Sequence, residues 1–558
     1  MRPSLSLTLT LLLVSCTTQP ALPPVSTVPP PLQFAPTAQA KRVVLLSFDG
    51  LGADALARQQ ELPAFERIAR EGMSARVINV DPTLTGPSHV SILTGVEPQR
   101  HGIVSNRFHL AGQPAESVAY GMEIDPDVEL LVEAARRQGK RVGAVSFPTI
   151  DNGSARRTAD FGLAWSYPLT QGRMVELTRV DFKREWVPPT WTNRPQKRQS
   201  FSPIMRARLE WALPHVVRAD VDLIAYDTTD DAHENYDSFL IEVGEREVIP
   251  DARGWFAVSR ETAEGLHGSW SKIVRASPSL DVTIYWGPIG RNMAWPDSFR
   301  SMLDTEVGFW PCPPEEVLEV DPEIFIEQLE RLASFYTRVQ TLTIARMPFD
   351  LLLAYQPQID EASHAYLGAA GGERVLRAAW VASDRGLAAL GDALQPDDAL
   401  IVTADHGLIP LDREVRVNTL LHEHGLGSRW RAYVSGAHAH LYRFSEPDDA
   451  DAVVNLLTAS GHFERVTKNT AGMHHHCGDV VAWALPNVAV ESDHITPSVV
   501  TAKPRGHHGA LNTHRELHPP LFAIGAGITP GSVGEVRQTR IARFVSSLLG
   551  IAPPAAAE

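Results

Sequence analysis

The sequence predicts an α/β fold with a mostly parallel central sheet flanked by helices and an inserted β-rich domain. Three observations carry that expectation. Short, largely apolar runs recur and two of them end on an acidic residue: "VVLLSF" before Asp49 and "ALIVTA" before Asp405, beside "RVGAVSF" and "DLLLAYQP". Between them lie segments of helical spacing, such as "LPAFERIAREGM" with Leu62, Phe65, Ile68 and Ala69 in step, "PDVELLVEAARRQG", "FIEQLERLASFYTRVQTLTIARM" and "RVLRAAWVASDRGLAALGDAL". Apolar runs of strand length alternating with helices read as buried parallel strands. The third observation is a change of texture from residue 164 to 322. There "VDLIAYDTTDD", "YDSFLIEVG", "GWFAVSR" and "LDVTIYWG" are short, β-rich and separated by turn residues, with aromatics gathered as in "REWVPPTW". This part reads as a cap, antiparallel at least in part.

Each segment has its reason. Residues 1–16, "MRPSLSLTLTLLLVSC", hold one Arg and then an apolar run too short to span a bilayer, so they read as a signal segment. The end of that run resembles a bacterial lipobox, which implies a lipid on Cys16 and an exported protein anchored outside a bacterial membrane, in the periplasm or at the cell surface. Residues 17–40, rich in Pro, Ala and Thr, cannot bury a core and read as a tether. The catalytic core is expected at 41–163 and again at 323–558, on either side of the 164–322 cap. A length of 558 residues suits a large core plus such an insertion. The net charge of −15 argues against binding a nucleic-acid backbone, which needs Lys and Arg to displace counterions. It leaves phosphate chemistry open, because bound cations reverse the local sign. Three cysteines make no disulfide framework; Cys312 and Cys477 pair or stay as thiols.

Acids and histidines collect just past these strands. Asp49 follows the first run, Asp360 and His364 follow "LLLAYQPQI", and Asp405 and His406 follow "ALIVTA". Far downstream, "KPRGHHGALNTHRELHPPLFAIG" supplies His507, His508, His514 and His518. Ligands of open α/β sheets bind outside the carboxyl ends of the strands, so these groups are expected to converge. Carboxylate and neutral imidazole suit zinc and similar divalent ions, and two neighbouring ions clamp the entering and leaving oxygens of a phosphoryl displacement. A threonine in "DPTLTGPSHVSILTGVEPQRHGIVSN" then becomes a nucleophile without a dedicated base.

The pieces "SFDG", "PTLTGPSHVSILTGVEPQRHGIVSN", "DEASH", "TADHG" and "GHHG" with "HPPLF" resemble the alkaline phosphatase superfamily, most closely its nucleotide pyrophosphatase/phosphodiesterase branch. The resemblance implies an alkaline-phosphatase-like fold and a hydrolase that cleaves a small-molecule phosphate ester through two divalent metal ions, zinc by expectation. It implies Thr85 as nucleophile, with Thr83 the neighbouring alternative, and Asn106, twenty-one positions on, as holder of a non-bridging phosphate oxygen. One ion falls to Asp360, His364 and His508, with His507 and His514 as rivals for the last place; the other falls to Asp49, Asp405, His406 and Thr85. Two departures bear on substrate. Gly86 stands where nucleotide-cleaving members carry an aromatic, and the Lys-x-Arg pair of related monoesterases is missing, with only Arg156 and Arg157 nearby. A phosphodiesterase or pyrophosphatase is therefore expected, the alternatives being a phosphomonoesterase, a sulfatase-like enzyme or a non-catalytic surface binding protein. His474 to His476 read as a loop, and His438 and His440 as neighbours on one strand face.

Overall fold

The computed structural model describes residues 39–184, 200–244, 246–314 and 321–558. The signal segment with Cys16, nearly all of the 17–40 tether and "REWVPPTW" beyond Arg184 lie outside the described residues.

At the centre is a nine-stranded sheet. Its strands in chain order are β1 (Val43–Phe48), β2 (Met73–Ile78), β3 (Val142–Val145), β4 (Phe161–Leu163), β5 (Ala294–Trp295), β6 (Leu351–Gln356), β7 (Ala399–Thr403), β8 (Pro520–Gly525) and β9 (Gly531–Arg537). They lie side by side as β5-β4-β3-β6-β1-β7-β8-β2-β9. Every pairing from β4 through β7 is parallel. The antiparallel pairings come at β5 and on both sides of β8. The mostly parallel sheet expected from the sequence is present.

Why the strands read as unbroken apolar runs is visible in the packing. Successive side chains point to opposite faces. Val44, Leu46 and Phe48 of β1 meet Phe335, Trp380 and Leu387 on one side, while Val43 and Leu45 join Ile92, Leu131 and Phe544 on the other. With helices on both faces, no position of β1 reaches water, and all six residues are buried.

The inserted part is antiparallel. One five-stranded sheet runs through Met205–Leu213, Val217–Tyr226 and Ser238–Val243; a second runs through Trp255–Thr262, Gly265–Ala276 and Val282–Trp286. Their shared core includes Trp211, Leu223, Phe256 and Ile284. Its outer edge docks on the long helix Pro322–Arg346, where Trp255 and Tyr285 pack with Ile324 and Phe325. A further antiparallel sheet, built from Trp430–Ser435, His438–Arg443, Phe463–Lys468 and Val480–Ala484, rides on the later half of the chain. The 323–558 segment is therefore not α/β throughout. Among the described residues, no helix is long and apolar enough to cross a membrane.

Candidate active site

Three neighbouring parallel strands set the site. β6, β1 and β7 end nearly flush: Phe48 stands opposite Gln356, and Ser47 opposite both Tyr355 and Thr403. The residues just past each end therefore share one edge, although they lie hundreds of positions apart in the chain. Asp49 continues β1, Asp405 and His406 follow β7, and the helix Gln358–Tyr366 after β6 puts Asp360 and His364 one turn apart. His508 comes in on the 506–508 segment, whose strand Gly506–His507 pairs with Ile409–Pro410 just beyond β7.

One ligand atom each from Asp49, Asp405 and His406 lies within 4.8 Å of the other two, and the same holds for Asp360, His406 and His508. His364 joins through its Nε2, 3.4 Å from Asp360 Oδ2, and through ring contact with His508 at 5.2 Å. His406 thus stands between the two triads, within reach of both. All three imidazoles are held alike by the main chain. His406 Nδ1 meets the Gly407 carbonyl at 3.2 Å, His508 Nδ1 the Thr83 carbonyl at 3.0 Å and His364 Nδ1 the Gly506 carbonyl at 3.1 Å. A carbonyl only accepts, so each Nδ1 carries the proton and each Nε2 keeps its lone pair. His406 Nε2 faces Asp405 Oδ2 at 3.1 Å and Asp49 Oδ1 at 3.7 Å.

Electrostatics sharpen this picture. Burial raises the Asp49 carboxyl well above its ordinary range, with Asp405 adding to the effect. Burial brings Asp405 up to about 7, against main-chain N–H groups of His406 and Gly50 that hold it down. His364 is pushed down to about 4 by burial. His406 and His508 are driven well below their ordinary value by burial first and by neighbouring imidazoles next. Asp49 Oδ1 and Asp405 Oδ2 are buried without a hydrogen-bond partner, and no lysine or arginine among the described residues pairs with either carboxylate. Acceptor-only oxygens and inward lone pairs, packed together out of water, form a donor set that fits divalent cations.

The threonines separate clearly. Thr83 Oγ1 donates to the Ala510 carbonyl at 2.8 Å and accepts the Gly509 N–H at 3.1 Å, so it is occupied by main chain. Thr85 opens the helix Thr85–Thr94, and its Oγ1 lies 3.3 Å from His406 Nε2. A first-turn residue has an N–H without an intrahelical acceptor, at the positive end of the helix dipole. Asn106 Oδ1 accepts the Gly86 N–H at 2.7 Å, placing its carboxamide beside that turn. A Cβ at position 86 would stand 3.0 Å from this oxygen, so a side chain there would crowd Asn106.

The rival residues are engaged elsewhere. His507 Nε2 donates to the Pro486 carbonyl and His514 meets Glu464. Arg156 is tied to Glu133 and to the Pro126 and Val128 carbonyls, and Arg157 to Asp125 and Asp151. Neither guanidinium is a solvated loop charge; both are anchored by carboxylates of the 125–151 region. Cys312 and Cys477 form no disulfide with each other. His438 and His440 share a strand, their rings 4.6 Å apart.

Two supporting residues escape the sequence reading. Tyr355, on β6, donates its hydroxyl to Asp49 Oδ2. His89, one helical turn after Thr85, donates from Nδ1 to the Thr85 carbonyl at 2.9 Å and takes the Ser47 hydroxyl on Nε2 at 2.9 Å. The i, i+4 spacing of Thr85 and His89 is a usable signal for the second; a tyrosine inside an apolar strand offers none for the first.

A doubly wound sheet with carboxylate and imidazole donors at the ends of three adjacent parallel strands defines an alkaline-phosphatase-like α/β protein. The chain matches the family model "Type I phosphodiesterase / nucleotide pyrophosphatase" over residues 43–238 and 267–511, and it belongs to that family. It is 41% identical over 73 residues to bis(5'-adenosyl)-triphosphatase of Mus musculus, 13% of this chain and 16% of that protein. The human counterpart is also 41% identical, over 69 residues, 12% of this chain and 15% of that protein. The chain thus matches only a small part of the length of these curated relatives. Two solved structures share the fold over 92% of this chain and 96% of theirs. They are human ectonucleotide pyrophosphatase/phosphodiesterase 5, at 15% identity and TM-score 0.50, and phosphonoacetate hydrolase from Sinorhizobium meliloti 1021 in complex with phosphonoformate, at 14% and 0.51.

Proposed function

We propose that this protein is a phosphoric-ester hydrolase of the phosphodiesterase/pyrophosphatase type, with Thr85 as nucleophile and two zinc ions at the strand ends. The carrying observation is the Thr85 hydroxyl, held at a helix amino terminus against His406 and the carboxylates around it. Asp360, His364 and His508 would hold one ion, and Asp49, Asp405 and His406 the other, with Thr85 completing the second. Bound there, the ions would lower the pKa of the Thr85 hydroxyl and neutralise charge on the phosphoryl oxygens. Thr85 Oγ1 attacks phosphorus as its hydroxyl proton passes to solvent, the P–O bond opposite breaks, and the leaving group departs with its electron pair. Water then cleaves the phospho-threonine by the reverse geometry and restores the hydroxyl. Asn106 steadies one non-bridging oxygen from its amide side, since its carbonyl side is taken by Gly86. Tyr355 and His89 hold Asp49 and the first helical turn in place.

The carboxylates that engage Arg156 and Arg157 leave neither guanidinium free to grip the extra charge of a monoester, which supports diesters or pyrophosphates. A lipid anchor at Cys16, outside a bacterial membrane, rests on the amino-terminal sequence. The test compares turnover of a bis-aryl and a mono-aryl phosphate by zinc-loaded protein of known metal content. Faster diester cleavage supports the reading and faster monoester cleavage replaces it with a phosphomonoesterase. No turnover of either with both ions bound makes the scaffold a binding protein.

A further inference from the structure

Away from the strand ends, the described residues hold one other group of metal-ligating side chains. His474, His475 and His476 each offer a ligand nitrogen within 4.8 Å of the other two. Their ring centroids are 4.2, 4.3 and 4.5 Å apart. A neutral imidazole has one lone-pair nitrogen, the atom with which it binds a metal.

The neighbourhood fixes these rings. His474 Nε2 lies 2.8 Å from Asp127 Oδ2, and its Nδ1 accepts the His476 main-chain N–H at 3.1 Å. His476 Nδ1 donates to the Gly102 carbonyl at 2.7 Å, which leaves its Nε2 as the lone-pair nitrogen, and its ring stacks on Phe108 at 5.3 Å. The His474 N–H is held by Gln99 Oε1 at 3.0 Å. Gly102, at φ +82, accepts the rings from below; a Cβ there would stand 2.8 Å from His474 Cε1. A loop with only a connecting role has no need of three imidazoles converging on a turn that only glycine suits.

We propose that His474, His475 and His476, with Asp127 as their carboxylate neighbour, bind one additional borderline divalent cation of the zinc, nickel or copper type. Imidazole nitrogens favour such ions, whereas magnesium and calcium require oxygen donors. A cation on His474 takes the place of one of the two hydrogen bonds that its ring makes. The site shares no ligand with the strand-end cluster. It is joined to it through one short segment, Gly102 to Asn106.

The experiment strips the full-length protein with a chelator, reloads it with zinc, removes free metal and counts zinc per chain. It is run on wild type, His475→Ala and a His474→Ala/His476→Ala double variant. Both variants are expected to hold one equivalent fewer than wild type, with phosphate-ester turnover within about twofold of wild type. His475 is exposed, so its replacement leaves the fold intact even where the double variant does not. The difference stands whatever number of ions the strand ends take, and Asp405→Ala, which empties the other cluster, is expected to keep this equivalent. Equal zinc in wild type and His475→Ala overturns the proposal, as does an extra equivalent taken up equally well as magnesium.

Discussion

Carboxylates lie wholly or half buried in several parts of the molecule, and they are neutralised differently. Where the insertion docks on the long helix, Glu327 is met by the Lys272 ammonium and by Trp255 Nε1 at 2.7 Å. At the strand ends, Asp49 and Asp405 lie side by side with no such cation, each with an oxygen that no donor reaches. Glu97, before the short helix Pro98–His101, sits between the two cases. Burial lifts its carboxyl to about 7, and Arg537 offsets this only in part. The first arrangement is finished by the protein itself; the second is stable as a pair of charges only with something else bound. Two unmatched acids at the centre of a fold add nothing to its stability that apolar packing could not supply, since replacing a buried ionic group by such packing is often neutral or stabilising.

That contrast is open to direct attack. Thr85→Ala removes the hydroxyl without touching either acid, and turnover is expected to fall by about four orders of magnitude or more while zinc content is unchanged. Loss of zinc with activity would make Thr85 a structural ligand instead. Lys272→Met strands Glu327 and is expected to cost about 3–5 kcal/mol in denaturant unfolding, with or without metal. Asp405→Asn, by contrast, relieves a like-charge contact: metal-stripped protein is expected to melt no lower than stripped wild type, while metal-loaded protein loses its zinc and its activity together. Asn106→Ala is expected to lower kcat about a hundredfold, as for loss of one donor to a charged transition state, with little change in melting. The smallest effect is at Glu97. Its pKa is raised from 4.5 to about 7 on folding, so it favours the folded state at low pH and that contribution is lost as pH rises through this window. Glu97→Gln is expected to flatten the fall in melting temperature between those values; an unchanged pH profile would show the carboxyl to be solvated.

Much of this was legible in the residues. β1, β6 and β7 announce themselves as apolar runs because helices cover both of their faces, and the acids past them stand where the chain leaves the sheet. Their convergence was not in the runs themselves. It follows from strand order, in which residue 43 lies between residues 351 and 399, and no local pattern encodes that. The place of His406 between the two triads and the common Nδ1 tethering depend on carbonyls of Gly407, Thr83 and Gly506, and main-chain acceptors carry no residue signature. The antiparallel sheet of the later half, around His438 and Val480, was also hidden. Its short strands resemble the edges of an α/β core, and its helix Ala450–Ala459 kept the alternation going.

The flush ending of β6, β1 and β7 also bears on how the molecule comes to life. The donors clustered at these ends are spread from Asp49 to His508, and the middle strand of the three is the first to be synthesised. A nascent chain therefore carries a bare central strand until both flanking strands emerge, and the full set of donors is assembled only when the 506–508 segment arrives.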